Sequence, residues 1–399
     1  MYRNNMGRSP RFGSAKRFGA RPVARKAKAG RSQFSDVSKF INKVVSTTDE
    51  APYVAKNTFA DFCVDERLKK NVTNIGYTEP TPIQDQVIPH ILSGKDLVGI
   101  ANTGTGKTAA FLVPLLDKVL KDKNQKILII APTRELAIQI NQEFMKLARG
   151  FYVYSVCIVG GMSISRQIGD LRRNYNFVVG TPGRIKDLAG RKNCLPLNRF
   201  QSVVLDEADR MLDMGFINDV RNLLARLPVA RQTLFFSATL SNDIKRIIND
   251  FLKEPANISV KTGDTAKGVD QDVIYVRDLP KFDLLNNLLN KPEFSKVLIF
   301  GRTKHGVENL SGTLARRGHK TESIHGNKNH NQRQRALRAF KENSVKILVA
   351  TDVAARGLDI PNISHVINYE LPATYEDYIH RIGRTGRAGK TGIALTFID

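Results

Sequence analysis

The chain has 399 residues, 41% apolar and 25% charged, with Lys and Arg outnumbering Asp and Glu by 62 to 38. That length suits two domains plus an extension rather than one core. No apolar run reaches the roughly 18 residues that span a bilayer. The basic N-terminus lacks the apolar segment of a secretory signal, and Cys63, Cys157 and Cys194 stand singly, without metal or disulfide spacing. An integral membrane protein is excluded, a reducing cytoplasmic setting fits, and the net charge of +24 points to a polyanion, most simply nucleic acid.

Residues 1–35 hold ten Arg or Lys and no acid. This Gly/Ser/Ala-rich stretch has no apolar periodicity to offset its ordering entropy, so it reads as disordered. Phe12, Phe18 and Phe34 lie among the arginines, a mixture that stacks on bases and neutralises phosphates; a solubilising tail is the plainer alternative. We delimit an N-terminal extension over 1–56, with a short helix expected at Val37–Val45.

Between 57 and 260, apolar runs alternate with helical patterns, which predicts a parallel sheet with crossover helices. The predicted strands are Leu97–Ala101, Ile127–Ala131, Phe177–Gly180, Ser202–Asp206 and Thr233–Ser237. A Gly/Asp/Lys/Thr-rich segment at 261–270 reads as a linker. A second domain, 271–399, resumes the alternation with strands near Val273–Val276, Val297–Phe300, Ile347–Ala350, His365–Asn368 and Ala394–Phe397. The halves follow one plan. Thr133 and Thr181, each just beyond a strand, are 48 positions apart; so are Thr303 and Thr351, offset from the first pair by 170. Ligands of open parallel sheets bind beyond such strand ends. His325 and His330 flank a Gly/Asn/Lys loop and read as polar loop residues.

Ala101-Asn-Thr-Gly-Thr-Gly-Lys-Thr108 follows an apolar strand and precedes a helical pattern. It is a P-loop pattern with Ala101 replacing the first glycine. Gly104 and Gly106 let backbone N–H groups close around phosphate, with Thr103 and Thr105 between and beside them. Lys107 adds charge at the β/γ-phosphates, and the Thr108 hydroxyl suits Mg²⁺ at a helix N-terminus. A Gly-rich structural turn is the alternative. In Val203–Asp209, Asp206 at a strand end suits Mg²⁺ held through water, and Glu207 suits the activation of a water. Taken alone, the acids would serve as a helix N-cap.

Over roughly Phe59–Asp399 the chain resembles the DEAD-box ATP-dependent RNA helicases, of bacterial type with a basic N-terminal extension. Asp206-Glu-Ala-Asp209 stands verbatim, and the P-loop alanine is usual in that family. The resemblance implies an α/β protein of two tandem RecA-like domains. It implies that Phe59 stacks on adenine and Gln84 reads its edge. It implies RNA-backbone contacts by Pro132, Thr133, Arg134, Gly160, Gly161, Thr181, Pro182, Gly183 and Arg184, and in the second domain by Arg335 and Thr351. Phe300–Thr303 and Gln332–Arg335 are further RNA segments, although Phe300–Thr303 is a loose match and leaves Arg302 without a defined role. Asp359 would hold the ribose, Ser237, Thr239 and His380 would couple hydrolysis to strand separation, and Arg384 and Arg387 would meet the γ-phosphate. The implied cofactors are ATP and Mg²⁺, and the implied partner is RNA, as single strand or short duplex with little sequence specificity. The protein is expected as a cytoplasmic monomer. The chain stops directly after its last predicted strand, where family members usually continue into a helix, so a truncated or unusually short second domain is expected. A translocating DNA helicase is a rival that the adenine motif argues against. An ATP-gated RNA clamp or chaperone without unwinding is another; it predicts damaged motifs, whereas Lys107, Asp206, Glu207 and Arg387 are present.

Overall fold

The computed structural model describes residues 41, 53–102, 104–260, 269–277, 279–355, 360–386 and 392–399. The basic arm, most of the expected Val37–Val45 helix and most of the linker lie outside them.

The first lobe opens with α1 (Glu66–Asn74) and α2 (Pro82–Leu92). There follow β1 (Leu97–Ala101), α3 (Lys107–Lys121), β2 (Ile127–Ile130), α4 (Arg134–Leu147), β3 (Ser155–Ile158), α5 (Ile164–Leu171), β4 (Phe177–Gly180) and α6 (Pro182–Gly190). It closes with β5 (Ser202–Leu205), α7 (Ala208–Asp213), α8 (Ile217–Ala225), β6 (Gln232–Ser237), α9 (Asn242–Phe251) and β7 (Ala256–Val260). The second lobe runs β8 (Val269–Tyr275), α10 (Lys281–Leu289), β9 (Val297–Gly301), α11 (Lys304–Arg316), β10 (Thr321–Ile324) and α12 (His330–Lys341). It ends with β11 (Ile347–Thr351), α13 (Asp352–Ala355), β12 (His365–Asn368), α14 (Tyr375–Ile382) and β13 (Gly392–Ile398). β8 begins two residues inside the expected linker, because Val269 and Gln271 are buried against the sheet and take its period.

Both sheets are parallel throughout. The first has the order β3-β4-β2-β5-β6-β1-β7 and the second β10-β11-β9-β12-β13-β8. Apart from the added β7, the two orders superpose strand for strand: β2 on β9, β4 on β11, β5 on β12. The matched threonine spacing therefore reflects a repeated fold. Thr133 and Thr303 each follow the central strand of their half-sheet and cap the next helix, accepting from Leu136 N at 3.2 Å and Gly306 N at 3.0 Å.

The strands are buried on both faces, which is why they read as continuous apolar runs. In β2, Ile127 and Ile129 enter the core with α3 and α4, while Leu128 and Ile130 enter the core on the opposite face. Each fully buried side chain of this size contributes about 1.5–3 kcal/mol relative to exposure. The result is a rigid sheet whose carboxyl edge carries the loops that matter. No helix among the described residues is long and apolar enough to cross a membrane.

Candidate active site

Sheet order sorts the motifs into two groups. β5, β6 and β1 are neighbours, and their carboxyl ends carry Asp206–Glu207, Ser237–Thr239 and the P-loop. β3, β4 and β2 are neighbours, and theirs carry Gly160–Gly161, Thr181–Arg184 and Pro132–Arg134. The phosphate motif and the proposed RNA-backbone motifs thus share one edge, meeting between β2 and β5.

The first group surrounds a cavity of about 330 Å³ lined by Tyr77, Gln84, Gly104, Gly106, Lys107, Thr108, Asp206 and Glu207 among others. Gly106 caps α3 at φ 95°, a left-handed conformation, and a Cβ there would lie 2.6 Å from Gln84 Nε2, so only glycine fits. Gln84 is fully buried. Its Nε2 donates to the Gly106 carbonyl at 3.1 Å, and its Oε1 accepts from Thr81 N at 2.9 Å. One bond of this amide ties α2 to the P-loop and the other closes the capping box of α2, uses the sequence reading did not foresee. Thr105 Oγ1 donates to the Asn102 carbonyl, and Lys107 Nζ donates to the Ala101 carbonyl at 2.9 Å.

Phe59, expected to stack on adenine, lies in the core beside Tyr77 of the cavity lining. It is 6% exposed, packs against Phe62 and Tyr77 with ring centroids at 5.9 and 6.2 Å, and does not line the cavity. Its apolar ring joins the core built with α1 and α2; the aromatic side chain at the cavity is Tyr77, whose hydroxyl donates to Glu143 at 2.8 Å. A further anchor was missed in Asp85. Its carboxylate accepts from Tyr53 Oη, Lys56 N and both nitrogens of Asn57, which straps the preceding segment onto α2. Burial opposes its ionisation, but those donors hold it below the usual carboxylate range.

At the end of β5, burial pushes the Asp206 carboxyl up to about 6; Lys107 opposes the shift and Glu207 reinforces it. Asp206 Oδ1 is buried with no hydrogen-bond partner among the described residues. Glu207 sits at φ 53°, ψ 52°, and caps α7. Asp209, the last residue of the tetrad, carries a role that the sequence reading left unassigned. Its Oδ2 accepts from Ala238 N at 3.1 Å and Thr239 N at 3.2 Å, and its Oδ1 accepts from Arg210 N at 3.1 Å. Ser237 Oγ in turn donates to the Thr239 carbonyl at 2.7 Å. The acidic tetrad and the expected coupling segment are one hydrogen-bonded unit.

The second group is equally interlocked. The Arg134 guanidinium packs on Gly160 and Gly161, where a Cβ would collide with it; Gly161 has φ 74°. Arg184 donates to the Met162 carbonyl and to Gln167 Oε1 at 3.3 and 3.1 Å. In the second lobe Thr351 ends β11 and Arg335 is exposed on α12, whereas Gln332 is spent on capping that helix. Arg302 is exposed, with its backbone N–H donated to Glu370 at 2.5 Å. The two lobes meet where Arg333 Nη2 lies 2.9 Å from Glu135 Oε1, with both side chains largely buried. His330 begins α12 beside them; burial lowers its pKa, against the pull of Glu135. His325 lies in the loop after β10, as expected, but it is 5% exposed and 2.9 Å from Glu308, which also accepts from Ser323.

Arg384, expected at the γ-phosphate, lies within the second lobe. It is 3% exposed and lines a small cleft inside the second lobe with Phe300, Asp352, His380 and Arg381, and it does not line the nucleotide cavity. The neighbouring Arg381, overlooked in the sequence, clamps that lobe. It grips both oxygens of Asp352 at 2.5 and 2.8 Å, and bonds Asn368 and the Glu370 carbonyl. Thr103, Asp359 and Arg387 lie outside the described residues. No cluster of metal-ligating side chains occurs among the described residues.

Residues 81–247 match the DEAD/DEAH box helicase family and residues 280–389 the helicase conserved C-terminal domain. The chain is 49% identical over 343 residues to "ATP-dependent RNA helicase CshA" of Listeria monocytogenes, covering 86% of this chain and 66% of that protein. It is 48% identical to "DEAD-box ATP-dependent RNA helicase CshA" of Bacillus subtilis, covering 86% and 69%. The chain thus spans about two thirds of the length of the curated relatives it matches. Among solved structures, S. cerevisiae Dbp5 bound to RNA and ADP BeF3 gives a TM-score of 0.77 at 30% identity, covering 86% of this chain and 89% of that one. Mss116p bound to ssRNA and AMP-PNP gives 0.78 at 30% identity, covering 90% and 77%.

Proposed function

Because the chain belongs to the DEAD-box ATP-dependent RNA helicase family, we propose that it hydrolyses ATP to ADP and phosphate when stimulated by RNA, and that it locally melts short RNA duplexes. The observation that carries this reading is the union of Asp206–Asp209 with Ser237–Thr239 on the same sheet edge as the interlocked Arg134, Gly160–Gly161 and Arg184 loops. A change at the acids reaches Ser237–Thr239 through hydrogen bonds rather than through a flexible linker.

ATP would occupy the cavity between Tyr77, Lys107 and Glu207. The unpartnered, buried Asp206 Oδ1 and the Thr108 hydroxyl fit a hydrated Mg²⁺, a cation that usually keeps several waters and needs few protein ligands. When bound, the ion neutralises phosphate charge. Lys107 places a second positive charge beside it. Glu207 orients and deprotonates the attacking water. The second lobe supplies arginine and further backbone contacts, so closure over ATP joins two RNA surfaces into one. Binding energy then favours a bent single strand over a duplex. Contacts to phosphate and sugar position RNA without reading its bases, hence little sequence preference. The protein would act as a cytoplasmic monomer, a setting that suits three unpaired thiols.

The test is ATP turnover with and without single-stranded RNA, together with strand displacement from a short duplex. We expect RNA to raise turnover at least about tenfold, since closure must precede the transition state. Equal turnover in both conditions would reject the reading. Stimulated turnover without displacement would leave an ATP-gated RNA clamp.

The Glu135–Arg333 pair gives a second expectation. Removing one member of a buried ion pair costs about 3–5 kcal/mol, and here the loss falls on the lobe contact. Glu135→Arg should lower RNA-stimulated turnover by about tenfold or more, and the exchange Glu135→Arg with Arg333→Glu should recover most of it. An exchanged protein no better than either single variant would show that the pair does not join the lobes during turnover.

A further inference from the structure

Arg210 is among the largest fully buried side chains in the protein, at 2% exposure. A guanidinium cannot shed its charge, so it is buried only where a partner compensates. Its partner is the residue one turn back. Arg210 Nη1 lies 3.1 Å from Glu207 Oε2, and the two side chains are 2% and 4% exposed.

The backbone explains why the pair is needed. β5 ends at Leu205, and the chain turns into α7 through Glu207, a non-glycine residue at φ 53°. That conformation persists only where the surroundings over-determine it. The Glu207 carbonyl accepts from Arg210 N at 3.0 Å and Met211 N at 3.3 Å. Arg210 N is also fastened to Asp209 Oδ1, and Asp209 Oδ2 to Ala238 N and Thr239 N. Arg210 therefore stands on the unit that links the acidic tetrad to Ser237–Thr239, and its side chain reaches back to the carboxylate that lines the nucleotide cavity. An ion pair at 3.1 Å restrains the carboxylate by charge and close contact, as an orienting third group does in a catalytic triad.

We propose that Arg210 is a positioning residue for ATP hydrolysis: its guanidinium holds the Glu207 carboxylate at the turn so that one oxygen faces the attacking water. The inference rests on the reading of Glu207 as the water-activating group. Arg210 does not line the nucleotide cavity itself.

The experiment measures steady-state ATP turnover of the full chain at saturating RNA for Arg210→Met and Arg210→Lys, with nucleotide affinity measured separately. Misplacing a catalytic group by about 1 Å costs on the order of 100-fold. Arg210→Met should lower kcat by roughly 10- to 100-fold and change KM for ATP by less than about twofold. Arg210→Lys keeps a donor and a charge, so it should recover part of the loss; it also carries the test if the methionine variant fails to fold. A purely packing role would be served by methionine as well as by lysine and would leave no such difference. In the Glu207→Gln background, Arg210→Met should cause no further loss of single-turnover rate, since it acts through the carboxylate already removed. A full additional loss there, parental kcat in Arg210→Met, or a rise in RNA-independent turnover would each overturn the proposal, the last by making Arg210 a restraint. If Glu207→Gln itself turned over normally, the reading of Glu207 would fall and the positioning role with it. An inert Glu207→Gln beside a fully active Arg210→Met would remove the positioning role alone.

Discussion

Glu207→Gln should bind ATP with near-parental affinity and hydrolyse it about 100- to 10,000-fold more slowly, the range that a positioned general base contributes. The substitution keeps the size and shape of the side chain at the turn between β5 and α7. What it removes is the group that takes a proton from water. The loss should therefore fall on kcat, with little change in KM. Because reopening of the lobes follows hydrolysis in the proposed cycle, the variant should also stay on RNA when ATP is present. Phosphate release and the lifetime of a labelled RNA complex would read both effects. Phosphate release at the parental rate would show that another residue activates the water.

Much of this site was legible in the sequence because its parts are local and follow strands. The P-loop, the acidic tetrad and the threonines at strand ends each combine a buried apolar run with polar residues at fixed spacing, and all fall at the carboxyl edge where the fold puts them. The repeated threonine spacing revealed the twofold plan before any sheet order was known. Strands β3, β7 and β10 were missed for a physical reason. They are short edge strands, and Ser155–Ile158, Ala256–Val260 and Thr321–Ile324 are only partly buried, so they lack a continuous apolar run. Side-chain commitments were the least legible. Gln84 bonds the P-loop, Asp209 bonds Ala238 and Thr239, and Arg333 meets Glu135 of the other lobe. Each partner is distant in the chain, and nothing in periodicity announces it. Phe59 shows the same limit: an aromatic residue near a nucleotide motif suits stacking on a base and suits a core equally.

The largest effect outside the acids is expected at Arg387. Charge developing on the transferred phosphoryl group is stabilised by an arginine brought from the opposite lobe, a contribution of roughly 10³- to 10⁵-fold. The sequence offered two candidates; Arg387 lies outside the described residues, and the expectation rests on the burial of Arg384. Arg384 is 3% exposed against Asp352, His380 and Arg381, within the lobe that Arg381 holds together. Burial on that scale leaves it little freedom to reach a phosphate. Arg387→Ala should thus lower RNA-stimulated kcat by about 1,000-fold, while the thermal midpoint stays within a few degrees of the parent. Arg384→Ala should do the opposite. Losing a buried charged side chain should lower the midpoint by several degrees, and the protein that remains folded should lose far less activity. Thermal melts paired with single-turnover hydrolysis separate the two effects. If Arg384→Ala melts normally but cannot hydrolyse ATP, while Arg387→Ala turns over at the parental rate, the roles are exchanged, and the buried arginine must swing out of its cleft when the lobes close.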